Sequence, residues 1–477
     1  MYKRQTQYEA ITPDILDELK AISGHRVIVG EEINPDYTHD DMPIYGLAMP
    51  EVTIDVTSTE EVSAIMKVCA RHHIPVTVRG AGTGLVGGCT PVQGGVVLCT
   101  MRMNKILGYD EENMNVRVEA GVLLADLAKD AESRGFFYPP DPGEKFATLG
   151  GNVSTNAGGM RAVKYGTTRD YVEAMTVVLP SGEIMHVGAP VSKSSSGYSL
   201  LHLMIGSEGT LGIITELTLK LIAPPACHCS LIVPFENLAD AIGSVPEIKH
   251  SNLKPQALEF FEKEMLETTE AYMGTSVFPK VVEGTEVGAY LLITLDADHN
   301  DELDRLVEQA AEMLLEKGAL DVLVADVPMY LEKTWAARSS FLEGIESIYN
   351  LIDECDVVVP VSKIPDFTLY IREIAEGFSF DIRMFGHAGD GNIHVYACKK
   401  GAREDILPFK EETERFMHAL YAKASELGGQ ISGEHGIGLG KRAYLAENLG
   451  PLPIALMQGI KLVFDPDLIL NPNKVCF

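Results

Sequence analysis

The stretch Ile74-Pro-Val-Thr-Val-Arg-Gly-Ala-Gly-Thr-Gly-Leu-Val-Gly-Gly88 decides how the first half of the chain is read. Ile74–Val78 alternates like a strand, and Gly82-Thr-Gly-Leu-Val-Gly87 matches the GxGxxG spacing of a nicotinamide-dinucleotide loop. In that unit the loop must open a helix whose N-terminus receives the pyrophosphate. Here Gly88-Cys-Thr-Pro-Val-Gln-Gly-Gly95 intervenes, and the apolar Val96-Val-Leu98 reads as another strand. A Rossmann unit is therefore rejected. The glycines keep one property: without a Cβ, their backbone N–H groups can approach an anion closely.

Working outward, Val52-Thr-Ile-Asp-Val56 alternates as a half-buried strand. Ser58-Thr-Glu-Glu61 then forms a capping-box pattern ahead of a helix with Val62, Ile65, Met66 and Cys69 on one face. Upstream, residues 1–40 read as a polar helical arm. Downstream, Thr148-Leu-Gly-Gly-Asn-Val-Ser-Thr-Asn-Ala-Gly-Gly159 is a second loop of glycines and hydrogen-bonding side chains. Two such loops in one domain favour a bound diphosphate cofactor. Strand-like stretches at 173–179 and 213–221 flank Gly206-Ser-Glu-Gly-Thr-Leu-Gly212, and Pro224-Pro225 breaks the pattern. A domain boundary falls there, giving a first domain at 41–224, a second α+β domain at 225–430 and a C-terminal segment at 431–477. The second domain carries strands near 229–234 and 289–295, and a helix from Asp301 with Leu303, Leu306, Val307, Ala310 and Leu314 at helical spacing.

At 477 residues the chain exceeds one ordinary core. Its formal net charge of −29 repels nucleic-acid phosphates and anionic lipid headgroups, which excludes nucleic-acid binding as a function. No apolar run approaches the roughly 20 residues of a membrane-spanning helix. Met1–Ala10 lacks the apolar core of a secretory signal. The 8 cysteines, at 69, 89, 99, 227, 229, 355, 398 and 476, contain no CxxC. That spacing suits free thiols in a reducing compartment and not a resident iron–sulfur cluster. The expectation is a cytoplasmic protein.

Four segments together resemble a known family: residues 75–88, Pro140-Asp-Pro-Gly143 with Ala147–Val153, Asn156–Tyr171 and Gly206–Thr215. They are similar to the vanillyl-alcohol-oxidase-type flavoproteins, and within them to the FAD-dependent D-2-hydroxyacid dehydrogenase branch. That branch includes D-lactate dehydrogenases and the glycolate oxidase flavoprotein subunit. The resemblance implies an α+β fold, with a PCMH-type FAD-binding domain, an α+β cap built on an antiparallel sheet, and a C-terminal segment that returns to the FAD domain. It implies FAD contacts from Arg79, Gly80, Ala81, Gly82, Thr83 and Gly84, from Pro140 and Asp141, and from Thr148, Gly150, Gly151, Ser154, Asn156, Gly158 and Gly159. Further contacts would come from Glu208, Gly212, Ile213, Ile214 and Asn471. Relatives that attach flavin covalently use a histidine in the first loop; residues 79–88 contain none, so the FAD should be non-covalent.

In Phe385-Gly-His-Ala-Gly-Asp-Gly-Asn-Ile-His394, two histidines flank a turn-forming Gly-Asp-Gly-Asn, and Ser432-Gly-Glu-His-Gly-Ile-Gly438 adds an adjacent carboxylate and imidazole. Two histidines and a carboxylate suit a divalent ion with open positions, such as iron, zinc or manganese. Histidines beside glycines are also often plain core groups. The resemblance assigns His387, His394 and Glu434 to a metal, His435 to the catalytic base and Arg338, in Trp335-Ala-Ala-Arg338, to the substrate carboxylate.

Two departures bear on specificity. Val361 stands where relatives commonly carry arginine, and Tyr396 where several carry asparagine, which disfavours a second substrate carboxylate and favours D-lactate over D-2-hydroxyglutarate. Glycolate is a further alternative, and Lys363 is a second cation near the motif. Reduced flavin needs an outside acceptor. The resemblance points to a partner electron-transferring flavoprotein, with electrons bifurcated on to NAD, and to a homodimer within such a complex. A subunit that only relays electrons is the reading from a different class.

Overall fold

The computed structural model describes residues 8–477. Met1–Gln7, part of the segment tested for a signal, lie outside the described residues. The chain divides into two compact units.

Unit one comprises the chain up to Ala157, then Thr167–Pro224 and Glu434–Phe477. Its first sheet has the order Val27–Val29, Val52–Asp55, Val96–Cys99, Val76–Arg79; the last three run parallel and the first pairs antiparallel. Val52, Ile54, Val76, Val96 and Leu98 are buried against the helix Thr59–Arg71, which contributes Val62, Ile65, Met66 and Cys69. That helix starts on Ser58, whose Oγ accepts from Glu61 N at 3.2 Å. The Glu61 carboxylate reaches back one residue further than a capping box requires, to Thr57 N at 2.8 Å. The loop 80–95 leads from the strand Val76–Arg79 to the strand Val96–Cys99 with no intervening helix, as its glycine and proline content implied. A second, wholly antiparallel sheet has the order Ile106–Asp110, Asn115–Glu119, Ile213–Lys220, Val172–Val178, Ile184–Gly188.

The stretch expected as a separate arm is instead part of this unit. Its helix Pro13–Ser23 buries Ile15 and Leu19 in the same core, and Val27–Val29 joins the sheet. The chain end also lies on this sheet, where Val76 N donates to Ile469 O and Asn471 N donates to Val76 O, each at 2.7 Å.

Unit two comprises Gly158–Gly166 and Pro225–Gly433. Residues 158–166 depart from the contiguous domain expected at 41–224. They are held by Asp296, which pairs with the Lys164 ammonium and accepts from the Tyr165 hydroxyl at 2.5 Å. The unit is built on a seven-stranded antiparallel sheet in the order Leu323–Ala325, Cys227–Phe235, Ala289–Ala297, Ala257–Glu262, Asp381–His387, Asn392–Lys399, Leu351–Val358. Ala289–Ala297 is buried at every position, which fits its place inside the sheet. The helix Asn300–Glu316 buries Leu303, Ala310 and Leu314 and leaves Leu306 and Val307 half-buried.

Candidate functional site

Unit one contains a cavity of about 1260 Å³, its mouth included, whose wall is built from the glycine-rich segments. Gly80–Gly84, Thr148, Gly150, Gly151, Ser154, Glu208, Gly212–Ile214 and Asn471 all line it, as do Glu434 and His435. The first loop depends on a residue without a side chain. Gly82 has φ +88°, and a Cβ there would collide with the Arg79 guanidinium. Arg79 is turned away, its Nη1 donating to His39 O at 2.6 Å and lying 3.1 Å from Cys89 Sγ. The short helix Leu149–Thr155 begins on Thr148, whose Oγ1 accepts from Gly151 N at 3.2 Å.

Asn471 locks two of these walls together, its Oδ1 accepting from Val78 N at 2.9 Å and its Nδ2 donating to Glu208 O at 2.8 Å. The Glu208 carboxylate accepts from Ile437 N at 2.8 Å and Gly438 N at 2.7 Å, which fixes the loop bearing Glu434 and His435. Burial pushes the Glu208 carboxyl up, and those two N–H donors offset only part of the effect. Asp40 also lines the cavity, accepting from Met42 N at 3.2 Å and Gly88 N at 2.9 Å. Burial raises its pKa to about 6 against the pull of these donors.

In unit two the turn Ala388–Gly391 joins the strands Asp381–His387 and Asn392–Lys399. Gly391 has φ +91°, and a Cβ there would strike the Val359 carbonyl. The register sets Phe385 opposite His394 and His387 opposite Asn392, which puts both imidazoles on one face of the sheet. His387 and His394 are buried, and their Nε2 atoms are 3.5 Å apart with the rings near perpendicular at 89°. Each Nδ1 faces a fully buried carboxylate: His387 Nδ1 is 2.7 Å from Glu259 Oε1, and His394 Nδ1 is 3.4 Å from Glu354 Oε1. Two nitrogens at about 2.05 Å on one tetrahedral ion would lie roughly 3.4 Å apart. The spacing, and carboxylates behind both rings, fit a divalent cation.

Glu259 Oε2 also accepts from Arg338 Nε at 2.9 Å and Nη2 at 2.6 Å. The guanidinium lies over the rings of Phe385 and Phe341, 4.7 and 5.1 Å from their centroids. Burial alone would raise the Glu259 carboxyl, but His387 and Arg338 outweigh it and hold it below the usual carboxylate range.

Residues 50–188 match the family described as FAD binding domain, and residues 225–475 match FAD linked oxidases, C-terminal domain. The chain belongs to the FAD-linked oxidases of the vanillyl-alcohol-oxidase type. It is 58% identical over 471 residues to a D-lactate dehydrogenase of Anaerostipes hadrus, covering 99% of both chains. It is 37% identical to the glycolate oxidase subunit GlcD of Bacillus subtilis, over 98% of this chain and 97% of the relative. Among solved structures, 4-ethylphenol oxidase from Gulosibacter chungangensis superposes with TM-score 0.80 at 19% identity, over 99% of this chain and 98% of the other, which speaks to the fold alone. The flavoprotein is an FAD-dependent oxidoreductase, and the glycine-lined cavity of unit one suits FAD.

Within this flavoprotein the expected cofactor contacts divide. Arg79, Pro140, Asp141 and Asn156 do not line the cavity, whereas Pro142 and Glu144 do. Asn156 serves instead as a left-handed helix end at φ 52°, its Oδ1 accepting from Arg169 N at 3.0 Å and Thr167 Oγ1 at 3.2 Å. Gly158 and Gly159 belong to unit two. The structure brings His387 and Arg338 together on Glu259, sets His394 beside His387, and places Glu434 and His435 in unit one. Lys363 is engaged with Asp366 at 3.1 Å, and Tyr396 stacks on Phe385 in the core. All eight cysteines are free thiols.

Sequence reading missed Asp40, Glu259 and Glu354. Glu259 had a signal, since it interrupts the apolar run in Ala257-Leu-Glu-Phe-Phe261.

Proposed function

We propose that this flavoprotein oxidises a D-2-hydroxy acid, D-lactate first among them, to the 2-oxo acid. The observation that carries the reading is the buried pair His387 and His394, with Nε2 atoms 3.5 Å apart and carboxylates behind both Nδ1 atoms, in a chain of this flavoprotein family. The near full-length 58% identity to a protein named D-lactate dehydrogenase supports the choice of substrate. FAD, when bound by the glycine-rich loops, would supply a two-electron acceptor for the hydride of the substrate α-carbon. His387, His394 and Glu434 would hold a divalent ion, which would supply a Lewis acid for the substrate hydroxyl.

The chain's own residues do the rest. His435 accepts the hydroxyl proton, a task suited to an imidazole because its ordinary pKa of about 6.5 lies near neutrality. Arg338 holds the substrate carboxylate, its Nη1 edge being the one not given to Glu259. Val361 and Tyr396, in place of a cation and an amide, favour a short apolar tail over a second carboxylate. We further propose that the electrons leave to a partner electron-transferring flavoprotein in the cytoplasm, with bifurcation to NAD and the chain as a homodimer within that complex.

The test is anaerobic mixing with a panel of hydroxy acids. D-lactate should bleach the flavin fastest, ahead of glycolate and D-2-hydroxyglutarate. Preference for D-2-hydroxyglutarate would refute the argument from Val361, and a flavin reduced by none of them would leave the relay function.

A further inference from the structure

We infer that Glu259 is a positioning residue that couples the two halves of the substrate site, one oxygen orienting the imidazole of His387 and the other the guanidinium of Arg338. The inference rests on the functional reading above, in which His387 serves the metal and Arg338 the substrate carboxylate.

Glu259 lies inside the strand Ala257–Glu262, fully buried between Leu258 and Phe260. A lone carboxylate in such a place is costly, so its partners must compensate. They divide its two oxygens: Oε1 faces His387 Nδ1 at 2.7 Å, and Oε2 accepts two N–H groups of Arg338 at 2.9 and 2.6 Å.

Each half has a chemical consequence. An ionised carboxylate can only accept, so His387 carries its proton on Nδ1 and presents the Nε2 lone pair, the form a metal needs. On the other side, Glu259 takes the Nε and Nη2 edge of Arg338 while Phe341 and Phe385 hold the guanidinium plane, which fixes the direction of the remaining Nη1 edge. A shift of the arginine therefore moves the carboxylate, and through it the imidazole.

Glu259→Gln separates this role from simple fold stabilisation. The amide keeps one oxygen for Arg338 but turns N–H donors toward His387 Nδ1, which drives the imidazole proton to Nε2 and blocks it as a ligand. With the full-length FAD-bound enzyme and Zn²⁺ titrated against a competing chelator, E259Q should bind the ion about 10–100-fold more weakly. At saturating metal its KM for D-lactate should rise about tenfold, the loss of one charge-assisted hydrogen bond. FAD content should stay at the wild-type level. Arg338→Lys, which retains the charge but not the two-donor edge, should weaken Zn²⁺ several-fold in the absence of substrate. It carries the test if E259Q does not fold.

Wild-type Zn²⁺ affinity in E259Q or R338K overturns the coupling, as does a wild-type KM for D-lactate in E259Q at saturating metal. A wild-type chain that takes up no divalent ion overturns the metal reading as well, so the two failures are told apart.

Discussion

His435 illustrates how much a single side chain depends on its neighbours' backbone. Its loop is held by Glu208 through the amides of Ile437 and Gly438, so removing the imidazole should leave the cavity wall in place. His435→Ala should retain FAD and lower the anaerobic rate of flavin reduction by D-lactate about 10²–10⁴-fold, the usual worth of a general base. An equally fast variant would remove His435 from the mechanism. Asp40 offers a pH test on the same cavity. Its folded pKa of about 6 lies above the ordinary carboxylate value. The native state therefore binds this proton more tightly, and the stability that Asp40 contributes is full below about pH 4 and is lost as pH rises through 6. A two-unit shift is worth about 3 kcal/mol. Thermal midpoints of the apoprotein should fall across that window more steeply than those of Asp40→Asn. His435 was legible because GEHG is contiguous, whereas Asp40 reaches the cavity from a stretch with no glycine pattern. Glu259 was hidden for a related reason: its partners are 79 and 128 residues away.

At the scale of elements, the C-terminal helix Pro451–Phe464 departs from the ordinary rule, since its one buried residue is Lys461. The ammonium donates to Thr210 O at 2.6 Å and Leu470 O at 2.8 Å and pairs with buried Asp465. Thr210 follows Glu208 and Gly209, and Leu470 precedes Asn471, so one cation pins two walls of the cofactor cavity. Lys461→Met should strip Asp465 of its cation, leaving it the amides of Ile469 and Leu470, and cost about 3 kcal/mol, read as a lower thermal midpoint, with weaker retention of FAD. The double variant with Asp465→Asn should recover part of the loss. Continuous apolarity at 289–295 was readable because both faces are covered, whereas the alternation at 52–56 suggested a half-buried strand and Thr53 is buried as well. The helix at 451–464 has no apolar stripe turned inward, and nothing in its own pattern announces a lysine as its anchor.

At the scale of the molecule, the cofactor cavity and the paired imidazoles belong to different units, while Glu434 and His435 are counted with the cavity. Every residue lining the cofactor cavity belongs to unit one, while His387, His394, Glu259, Glu354 and Arg338 belong to unit two. The units are interleaved in sequence, with 158–166 counted in the second and 434–477 in the first, which is why boundaries drawn along the chain at 41, 225 and 431 could not delimit them. Cofactor loss and metal loss should then be separable. Dialysis against a chelator should remove the divalent ion and abolish flavin reduction by D-lactate while the visible absorbance of bound FAD stays constant. A ligand present at 100 times its Kd stabilises what it binds by about 2.7 kcal/mol, so in scanning calorimetry chelation and removal of FAD should each lower a thermal midpoint. Release of FAD in step with the ion would contradict this division, because no side chain that lines the cavity is drawn from the sheet that carries the paired imidazoles.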